Sequence, residues 1–303
     1  MLCEFEKDRK LPDKYCDIKI DYTKVGVLED YNAVDIKYPV IVSVPHAGTF
    51  FPTEFLNITS RTIEELRSNE DLYVSSLVEP LASQGIPIVS MNIARAFIDV
   101  NRDKIELDAK MFYNYPKDKL IIENHRCRFG LGLIHRVDAN NNLIYDGLLS
   151  YGEVQERIKN VYEIYHKRLN LMINKCVKKF GMCVLIDCHS MPSKICNIIP
   201  LSDNIDFCIG NLFSQSCPDV MSSFVENSLR QKGYNVSLNV PYSGAFITFN
   251  YCQPRKKIYT LQLEVNRGLY AHENLLEKND NFQHVSDDMC SVILNFSKKV
   301  LDF

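Results

Sequence analysis

The 303-residue sequence predicts a single α/β domain with a mixed, mostly parallel central sheet and helices on both faces. Three observations support this fold class. From about residue 39 onward, short, continuously apolar runs alternate with longer segments whose apolar residues repeat at helical spacing. The composition, with 46% hydrophobic and 24% charged residues, is that of an ordinary globular protein. Finally, no internal repeat or Gly/Ser linker divides the chain, so we expect one domain over 1–303 with an N-terminal extension over 1–35, although the length alone also allows two domains.

The strand predictions rest on apolar, often β-branched runs of about nine residues bounded by polar or turn residues. Several of these runs are apolar throughout, as expected of strands with both faces covered. They are residues 38–46, 86–94, 96–102, 182–190, 234–244 and 258–266.

The helix predictions rest on apolar residues spaced three or four apart. The first helix is expected to begin at a capping box of Thr62 and Glu65 and to stop near Gly85. The others cover 151–180, 219–232 and 281–301. Residues 103–150 are polar and irregular, which indicates functional loops or a small hairpin.

Composition excludes several classes of function. The net charge of −3 offers no basic excess for phosphates, which argues against a nucleic-acid partner. No apolar run approaches the roughly 18 residues of a membrane helix, and the charged N-terminus lacks a signal-peptide core. We therefore expect a cytoplasmic protein. The eleven cysteines include no CxxC pair, so they are predicted to be reduced and mostly buried.

Polar residues end four of the predicted strands, and ligands of open α/β sheets bind beyond the carboxyl ends of strands. Two of these residues, His46 and His189, follow or end apolar runs. Two histidines with one carboxylate are the ligand set of a catalytic zinc ion with an open fourth position. The alternative is that each histidine is a hydrogen-bonded structural residue.

Two further groups are candidates for chemistry. Glu264 lies within an apolar run, where a carboxylate needs a partner, and it could be the general base of such a site. It could also point outward from an edge strand, since Gln262 shares its strand face. Asn101 and Arg102 could clamp a carboxylate, or Arg102 could form a surface salt bridge with a neighbouring aspartate.

At these residues the sequence resembles the N-formylglutamate amidohydrolase family. The resemblance keeps its order over about residues 40–275. The matching segments are VSVPHAGTFFP (42–52), FIDVNRD (97–103), FGLGLIHRV (129–137), LIDCHSMP (185–192), GNLFSQSC (210–217), VPYSGAFIT (240–248) and LQLEVNRGLY (261–270).

The resemblance implies a fold similar to zinc carboxypeptidases and aspartoacylases. It also implies hydrolysis of the amide of an N-formyl or related N-acyl acidic amino acid, a small anionic substrate. The family's namesake reaction releases formate and glutamate in histidine breakdown.

The resemblance further implies a role for individual residues of this chain. One zinc ion per chain is expected on His46, His189 and a carboxylate, with Asp71 matching the family pattern and Glu70 as the alternative. Glu264 is expected to act as general base and then acid. Asn101 and Arg102 are expected to hold the substrate carboxylate, with Asp99 orienting Arg102. The remaining predicted site residues are Arg136 as a catalytic residue near the oxyanion, Arg128, Tyr242, Ser243 and Thr248 for the pocket, and Asp187 as a partner of a ligand histidine.

Two other functions stay open on the sequence. A related zinc deacylase or peptidase would share the site but act on a different N-acyl or peptide substrate. A degenerate relative would bind a small anion without catalysis. The oligomeric state has no signal in the sequence.

Overall fold

The structure is a computed structural model that describes residues 10–31, 35–120, 122, 124–196 and 204–303. Parts of the predicted N-terminal extension, residues 1–9 and 32–34, lie outside it, as does Cys3. The chain forms two compact units. Unit 1 comprises 1–28, 48–70 and 91–166, and unit 2 comprises 29–47, 71–90 and 167–303. The expectation of a single catalytic domain over 1–303 stays a prediction.

Unit 2 is built on a seven-stranded sheet. In chain order its strands are β1 (Leu28–Tyr31), β2 (Val40–Val44), β3 (Ile88–Met91), β4 (Cys183–Met191), β5 (Phe207–Gly210), β6 (Val236–Leu238) and β7 (Ile258–Asn266). Their spatial order is β1-β3-β2-β4-β7-β5-β6. Strand β2 runs parallel to β3 and β4, and β4 runs parallel to β7. Strand β5 is antiparallel to β7 and parallel to β6.

Helices cover both faces of this sheet. Alternate residues such as Val42, Ile186 and Leu263 join an apolar core formed with helices 74–78, 219–231 and 282–299. Thr248, from helix 246–251, lies on the opposite face, where its hydroxyl meets Gln262 of β7. The predicted α/β class, with a mixed, mostly parallel sheet covered on both faces, is confirmed.

Most predicted helices are present. The helix predicted over 151–180 is observed as α-helices Tyr151–Arg157 and Glu163–Phe180 joined by a π-helical turn, Ile158–Tyr162. The other long helices are Asp219–Gln231 and Phe282–Lys299. The shorter ones are Thr53–Leu56, Ile63–Leu66, Val74–Val78, Pro80–Ser83, His125–Arg128, Ser193–Cys196 and Phe246–Tyr251. Among the described residues, no helix is long and apolar enough to cross a membrane.

The helix predicted between Thr62 and Gly85 is broken, and that prediction was wrong for its middle part. The capping box of Thr62 and Glu65 is present and starts a single helical turn. Beyond a 3₁₀ turn, Glu70 is extended and Tyr73 has a positive φ of 57°. The backbone N–H of Asp71 donates to the carbonyl of His46 at 3.0 Å instead of to a helical partner. At Asp71, a hydrogen bond to a residue distant in sequence therefore replaces the helical backbone hydrogen bond.

Unit 1 contains few regular elements, which agrees with the irregular pattern of residues 103–150. Its core includes a fully buried cation, because Arg157 lies over the ring of Phe97 at 4.1 Å. The guanidinium binds Glu153 at 2.7 Å and donates to the Tyr145 hydroxyl at 2.8 Å. A paired, hydrogen-bonded charge of this kind can be tolerated inside a protein.

The strand predicted over 96–102 does not form. Asp99 occupies this segment, and its side chain accepts from the backbone N–H of Asn101 at 2.8 Å. The N–H of Asp99 itself donates to the carbonyl of Leu133 at 2.8 Å. The Asp99 side chain accepts a hydrogen bond from a nearby backbone N–H, which favours a turn. The segment therefore turns, although its apolar pattern indicates a strand.

The cysteines of the described residues are free thiols, as predicted. Eight of these ten are buried, and Cys252 and Cys290 are half-buried. Cys188 lies next to His189 on β4, but burial raises the pKa of its thiol well above the ordinary value. A neutral, buried thiol is a poor nucleophile, so Cys188 acts as a packing residue.

Candidate metal centre and active site

Two histidines and an aspartate converge within unit 2. His46 follows the end of β2, His189 lies near the end of β4, and Asp71 lies in the break between helical turns. The Nδ1 atom of His189 is 2.8 Å from Oδ2 of Asp71, and the Nδ1 atom of His46 is 3.4 Å from the same oxygen. The two Nδ1 atoms are 3.1 Å apart. All three side chains are buried.

These three donors fit a metal ion. Each residue offers one ligand atom, and these atoms lie within 4.8 Å of one another. Donors bound at about 2.1 Å to one tetrahedral zinc ion lie about 3.4 Å apart, close to the observed separations. Two imidazoles and one carboxylate leave a fourth position for water or substrate. The structure thus brings together the three residues that the sequence suggests as ligands.

Glu70, the alternative carboxylate, is placed differently. Its side chain accepts from the Nε of Arg67 at 2.6 Å in a partly buried ion pair. Among the described residues, the group able to hold a metal contains Asp71 and not Glu70. The geometry therefore favours Asp71.

His189 is oriented by a second carboxylate. Its Nε2 atom lies 2.9 Å from Oδ2 of Asp187, whose Oδ1 accepts from the Ser43 hydroxyl at 2.7 Å. The predicted contact between Asp187 and a candidate ligand histidine is confirmed. Such a partner fixes the imidazole so that its other nitrogen, Nδ1, faces Asp71 and His46.

The close contacts in this cluster shift the pKa values of His189 and Asp71. Burial alone would lower the pKa of His189, but Asp187 and Asp71 outweigh it and raise the pKa well above its ordinary value. Burial alone would raise the pKa of Asp71, but its contacts with His189 and His46 hold the pKa below its usual range. The neighbouring imidazoles therefore stabilise the ionised form of the Asp71 carboxylate.

Glu264 is next to the histidine cluster. It pairs in register with His189 on the neighbouring strand, and residues so paired have side chains on the same sheet face. Strand β7 lies between β4 and β5, and Glu264 is only 5% exposed. The alternative of an outward-facing residue on an edge strand is wrong.

Two neutral side chains position Glu264. The amide of Gln262 donates to Glu264 Oε1 at 2.7 Å, and the Thr248 hydroxyl donates to Gln262 Oε1 at 3.3 Å. Thr248 was predicted to line the substrate pocket, but its side chain has no exposed surface. It could affect the substrate only indirectly, through its hydrogen bond to Gln262 and the contact of Gln262 with Glu264. In the sequence, Gln262 indicates only that the strand face could be exposed. Its contact with Glu264 follows from the buried position of β7.

Tyr242 and Ser243 lie on the loop after β6. Both are half-buried. The carbonyl of Tyr242 accepts from the Cys208 thiol at 3.3 Å, and that of Ser243 accepts from the backbone N–H of Leu212 at 2.8 Å. Cys208 pairs in register with Glu264, so this loop is tied to a strand that adjoins the candidate base. Their role in substrate binding stays a prediction.

The residues predicted to hold the substrate carboxylate belong to unit 1. Asp99 is fully buried, and its Oδ2 accepts from Arg95 Nε at 2.8 Å and lies 3.2 Å from His135 Nε2. Arg102 Nη2 is farther away, at 3.7 Å. Asp99 therefore orients Arg95 more directly than Arg102.

The guanidinium of Arg102 is also held by its own backbone. Its Nη1 donates to the carbonyl of Asn101 at 2.9 Å, and its Nε donates to that of Leu131 at 3.0 Å. Burial lowers the pKa of Arg102, although an arginine stays charged at neutral pH. These contacts fix Arg102 and leave Nη2 as its least engaged nitrogen.

Two further predicted arginines occupy unit 1. Arg136 is buried, donates from Nη2 to the carbonyl of Arg128 at 3.1 Å, and lies 3.6 Å from Asp108. Arg128 is exposed at the end of helix His125–Arg128. The predicted roles of both in catalysis or substrate binding stay predictions.

His135 is expected to make the stability of the protein depend on pH. Burial lowers its pKa to about 4, against the opposing effect of Asp99. The native state disfavours protonation of His135. Its contribution to the free energy of unfolding is therefore fully present above the ordinary pKa of 6.5 and is lost as the pH falls from there to about 4. The loss is expected to reach about 3 kcal/mol. Denaturant unfolding of wild type and His135→Gln between pH 4 and 7.5 would measure it. An equally steep pH dependence in His135→Gln would contradict this assignment.

The model of the N-formylglutamate amidohydrolase family matches residues 38–271. An N-formylglutamate deformylase from Pseudomonas putida is 26% identical over 241 residues, which are 78% of this chain and 83% of that protein.

Two solved structures are similar over most of the chain. The N-formylglutamate amidohydrolase of Ralstonia eutropha JMP134 has a TM-score of 0.84 and 28% identity, covering 91% of this chain and 99% of its own. A gene product of Agrobacterium tumefaciens has a TM-score of 0.65 and 13% identity, covering 93% and 98%. The second likeness concerns the fold alone.

Proposed function

The chain belongs to the N-formylglutamate amidohydrolase family, and from this premise we propose that it hydrolyses the amide of N-formyl-L-glutamate to formate and glutamate. The observation that carries the proposal is the buried group of His46, Asp71 and His189 with Glu264 beside it. This group combines three metal-binding donors with a carboxylate able to carry a proton, which are the two components that metal-assisted amide hydrolysis needs.

We propose zinc as the metal, one ion per chain. His46 and His189 would bind it through Nδ1, and Asp71 through Oδ2, because these are the atoms that converge. When bound, zinc supplies polarisation of the amide carbonyl and a lower pKa for water. Asp187 would keep Nε2 of His189 occupied, so that Nδ1 remains the ligand atom.

Glu264 is the proposed proton carrier. Its carboxylate takes a proton from the attacking water, whose oxygen forms the new bond to the formyl carbon. When the C–N bond breaks, Glu264 returns that proton to the leaving nitrogen, and formate and the free amino acid result. Gln262 and Thr248 hold Glu264 in one orientation for both transfers.

The substrate-binding roles rest on the sequence pattern. We propose that Asn101 and Arg102 hold a substrate carboxylate, because an arginine fork next to an amide suits a planar anion. Arg136 would stabilise the developing oxyanion, and Arg128, Tyr242 and Ser243 would line the pocket. Arg95, which was not predicted, is an additional candidate for anion binding, because Asp99 orients it and its side chain is 19% exposed.

The proposal is tested by zinc content and substrate preference together. Protein purified without chelator is expected to contain about one zinc per chain by elemental analysis, and dialysis against a chelator should abolish turnover that zinc restores. Among N-formyl-, N-acetyl- and peptidyl-glutamate, the formyl compound is expected to have the highest kcat/KM, with N-formylleucine as the control lacking the side-chain carboxylate. Faster turnover of another acyl group would favour a different deacylase, and metal-free, inactive protein would favour an anion-binding relative.

A further inference from the structure

Asp71 is the one candidate ligand that lies outside a strand end. His46 and His189 are placed by β2 and β4, whereas Asp71 follows the extended residue Glu70 and lies two residues before the left-handed Tyr73. A non-glycine residue with φ of 57° is strained, and such strain persists only where surrounding contacts impose it. The position of Asp71 therefore requires support from other parts of unit 2.

That support comes from the turn after β7. Arg267 Nη2 lies 3.9 Å from Oδ1 of Asp71, and Arg267 Nε donates to the Ser190 hydroxyl at 3.3 Å. The Tyr270 hydroxyl donates to the carbonyl of Leu72 at 2.7 Å. One short turn thus contacts both the side chain of Asp71 and the backbone that follows it.

A small hairpin holds the strained residue itself. The Tyr73 hydroxyl donates to the carbonyl of Leu276 at 2.6 Å. Leu276 connects the paired strands Ala271–His272 and Glu277–Lys278, and the Lys278 ammonium lies over the Tyr73 ring at 5.2 Å. The chain from Arg267 to Lys278 therefore fixes residues 71–73 at three points.

The two oxygens of Asp71 have different partners. Oδ2 faces the Nδ1 atoms of His189 and His46, while Oδ1 faces Arg267. Arg267 is only 6% exposed, and Asp71 is its carboxylate partner among the described residues. Because a buried guanidinium needs an anion, this pair holds the carboxylate with one oxygen toward the metal position.

Arg267 is directed toward Asp71 rather than toward the candidate base. Ser190, to which Arg267 donates, follows His189 on β4, and successive strand residues point to opposite faces. Glu264 shares the face of His189. Arg267 thus contacts Ser190, on the sheet face opposite to Glu264, and approaches Asp71 from there.

We propose that Arg267 and Tyr270 are positioning residues that fix Asp71 as a one-oxygen metal ligand, and that zinc affinity depends on them. This inference rests on the proposed function, because it assumes that the histidine and aspartate group binds zinc. It assigns to Arg267 a role in metal binding and none in direct contact with the substrate.

The experiment measures zinc affinity by competition with a chromophoric chelator. Arg267→Met is expected to bind zinc about 10- to 100-fold more weakly than wild type, the usual cost of losing a group that orients a ligand. Arg267→Lys, which keeps the charge, should recover part of this loss, and Tyr270→Phe should weaken binding about fivefold. Arg230→Met, which removes an arginine from an exposed pair with Glu226, is the matched control and should bind zinc normally.

A second measurement separates positioning from substrate contact. At saturating zinc, Arg267→Met should show the wild-type KM for N-formylglutamate and recover most of kcat. Normal zinc affinity in both Arg267→Met and Tyr270→Phe, or a raised KM at full zinc occupancy, would overturn the inference while leaving the proposed function intact. A wild-type protein that binds no zinc would overturn the proposed function, and this inference with it.

Discussion

Glu264→Gln is expected to lower kcat by about 10²- to 10⁴-fold while zinc content and KM remain near wild type. Glutamine has the same shape, and its carbonyl oxygen can still accept from the Gln262 amide. It cannot take a proton from water, so the loss falls on the chemical step. Steady-state kinetics of the zinc-loaded variant, with elemental analysis of the same sample, would measure both quantities.

Glu277→Gln provides the control for this substitution. Glu277 is an exposed residue of the small hairpin, so the same chemical change there should leave kcat unchanged. Turnover within about threefold of wild type in Glu264→Gln would remove Glu264 from the proton-transfer role, since even modest acid–base catalysis contributes more than this.

Asp71→Ala is expected to cause the largest loss of metal. The substitution removes one of three converging donors and leaves the histidines without the charge that Oδ2 supplies. Zinc affinity should fall by more than the about 100-fold that loss of an outer partner can cost. Competition with a chelator would measure the affinity, and turnover at micromolar zinc should disappear with it.

Glu70→Gln distinguishes the two candidate carboxylates. It breaks the ion pair with Arg67 and should therefore reduce thermal stability. Its zinc affinity should nevertheless stay within a few-fold of wild type. If Glu70→Gln lost zinc and Asp71→Ala kept it, the assignment of the ligand would be reversed.

The sequence predicts the two longest strands of the sheet well because these buried strands are apolar over most of their length. The run 258–266 is observed as Ile258–Asn266, and 182–190 is shifted by one residue to Cys183–Met191. Continuous apolar runs of this length are distinctive, and the polar residues that interrupt them mark the site. His189 and Glu264 could therefore be identified as candidates from the pattern, although the pattern also allowed a structural role for each.

The break around Asp71 could not be predicted in the same way. Leu66 and Val74 have spacing compatible with one continuous helix, and no proline or glycine separates them. The helix is interrupted because Asp71 donates to His46 and because Tyr73 is held by contacts far along the chain. Tertiary contacts of this kind leave no local signal.

The arginines show a second limit of sequence reasoning. Arg267 lies in a segment that carries the family resemblance, three residues after Glu264, yet nothing in its spacing distinguishes it from Arg136. Its contact with Asp71 depends on the turn Arg267–Leu269 that follows β7. A long arginine side chain can extend in several directions, and the conformation of the surrounding backbone determines which partner it contacts.

The pairing of His189 with Glu264 across β4 and β7 restricts how this protein can change in evolution. The two residues form one rung of a parallel ladder that extends over nine residue pairs. A slip of one residue would turn Glu264 to the opposite face, among apolar side chains. The spacing between His189 and Glu264, the proposed ligand and the proposed base, is thus inherited with the sheet. Sequence drift in the loops can change the surroundings of this pair while its spacing stays fixed.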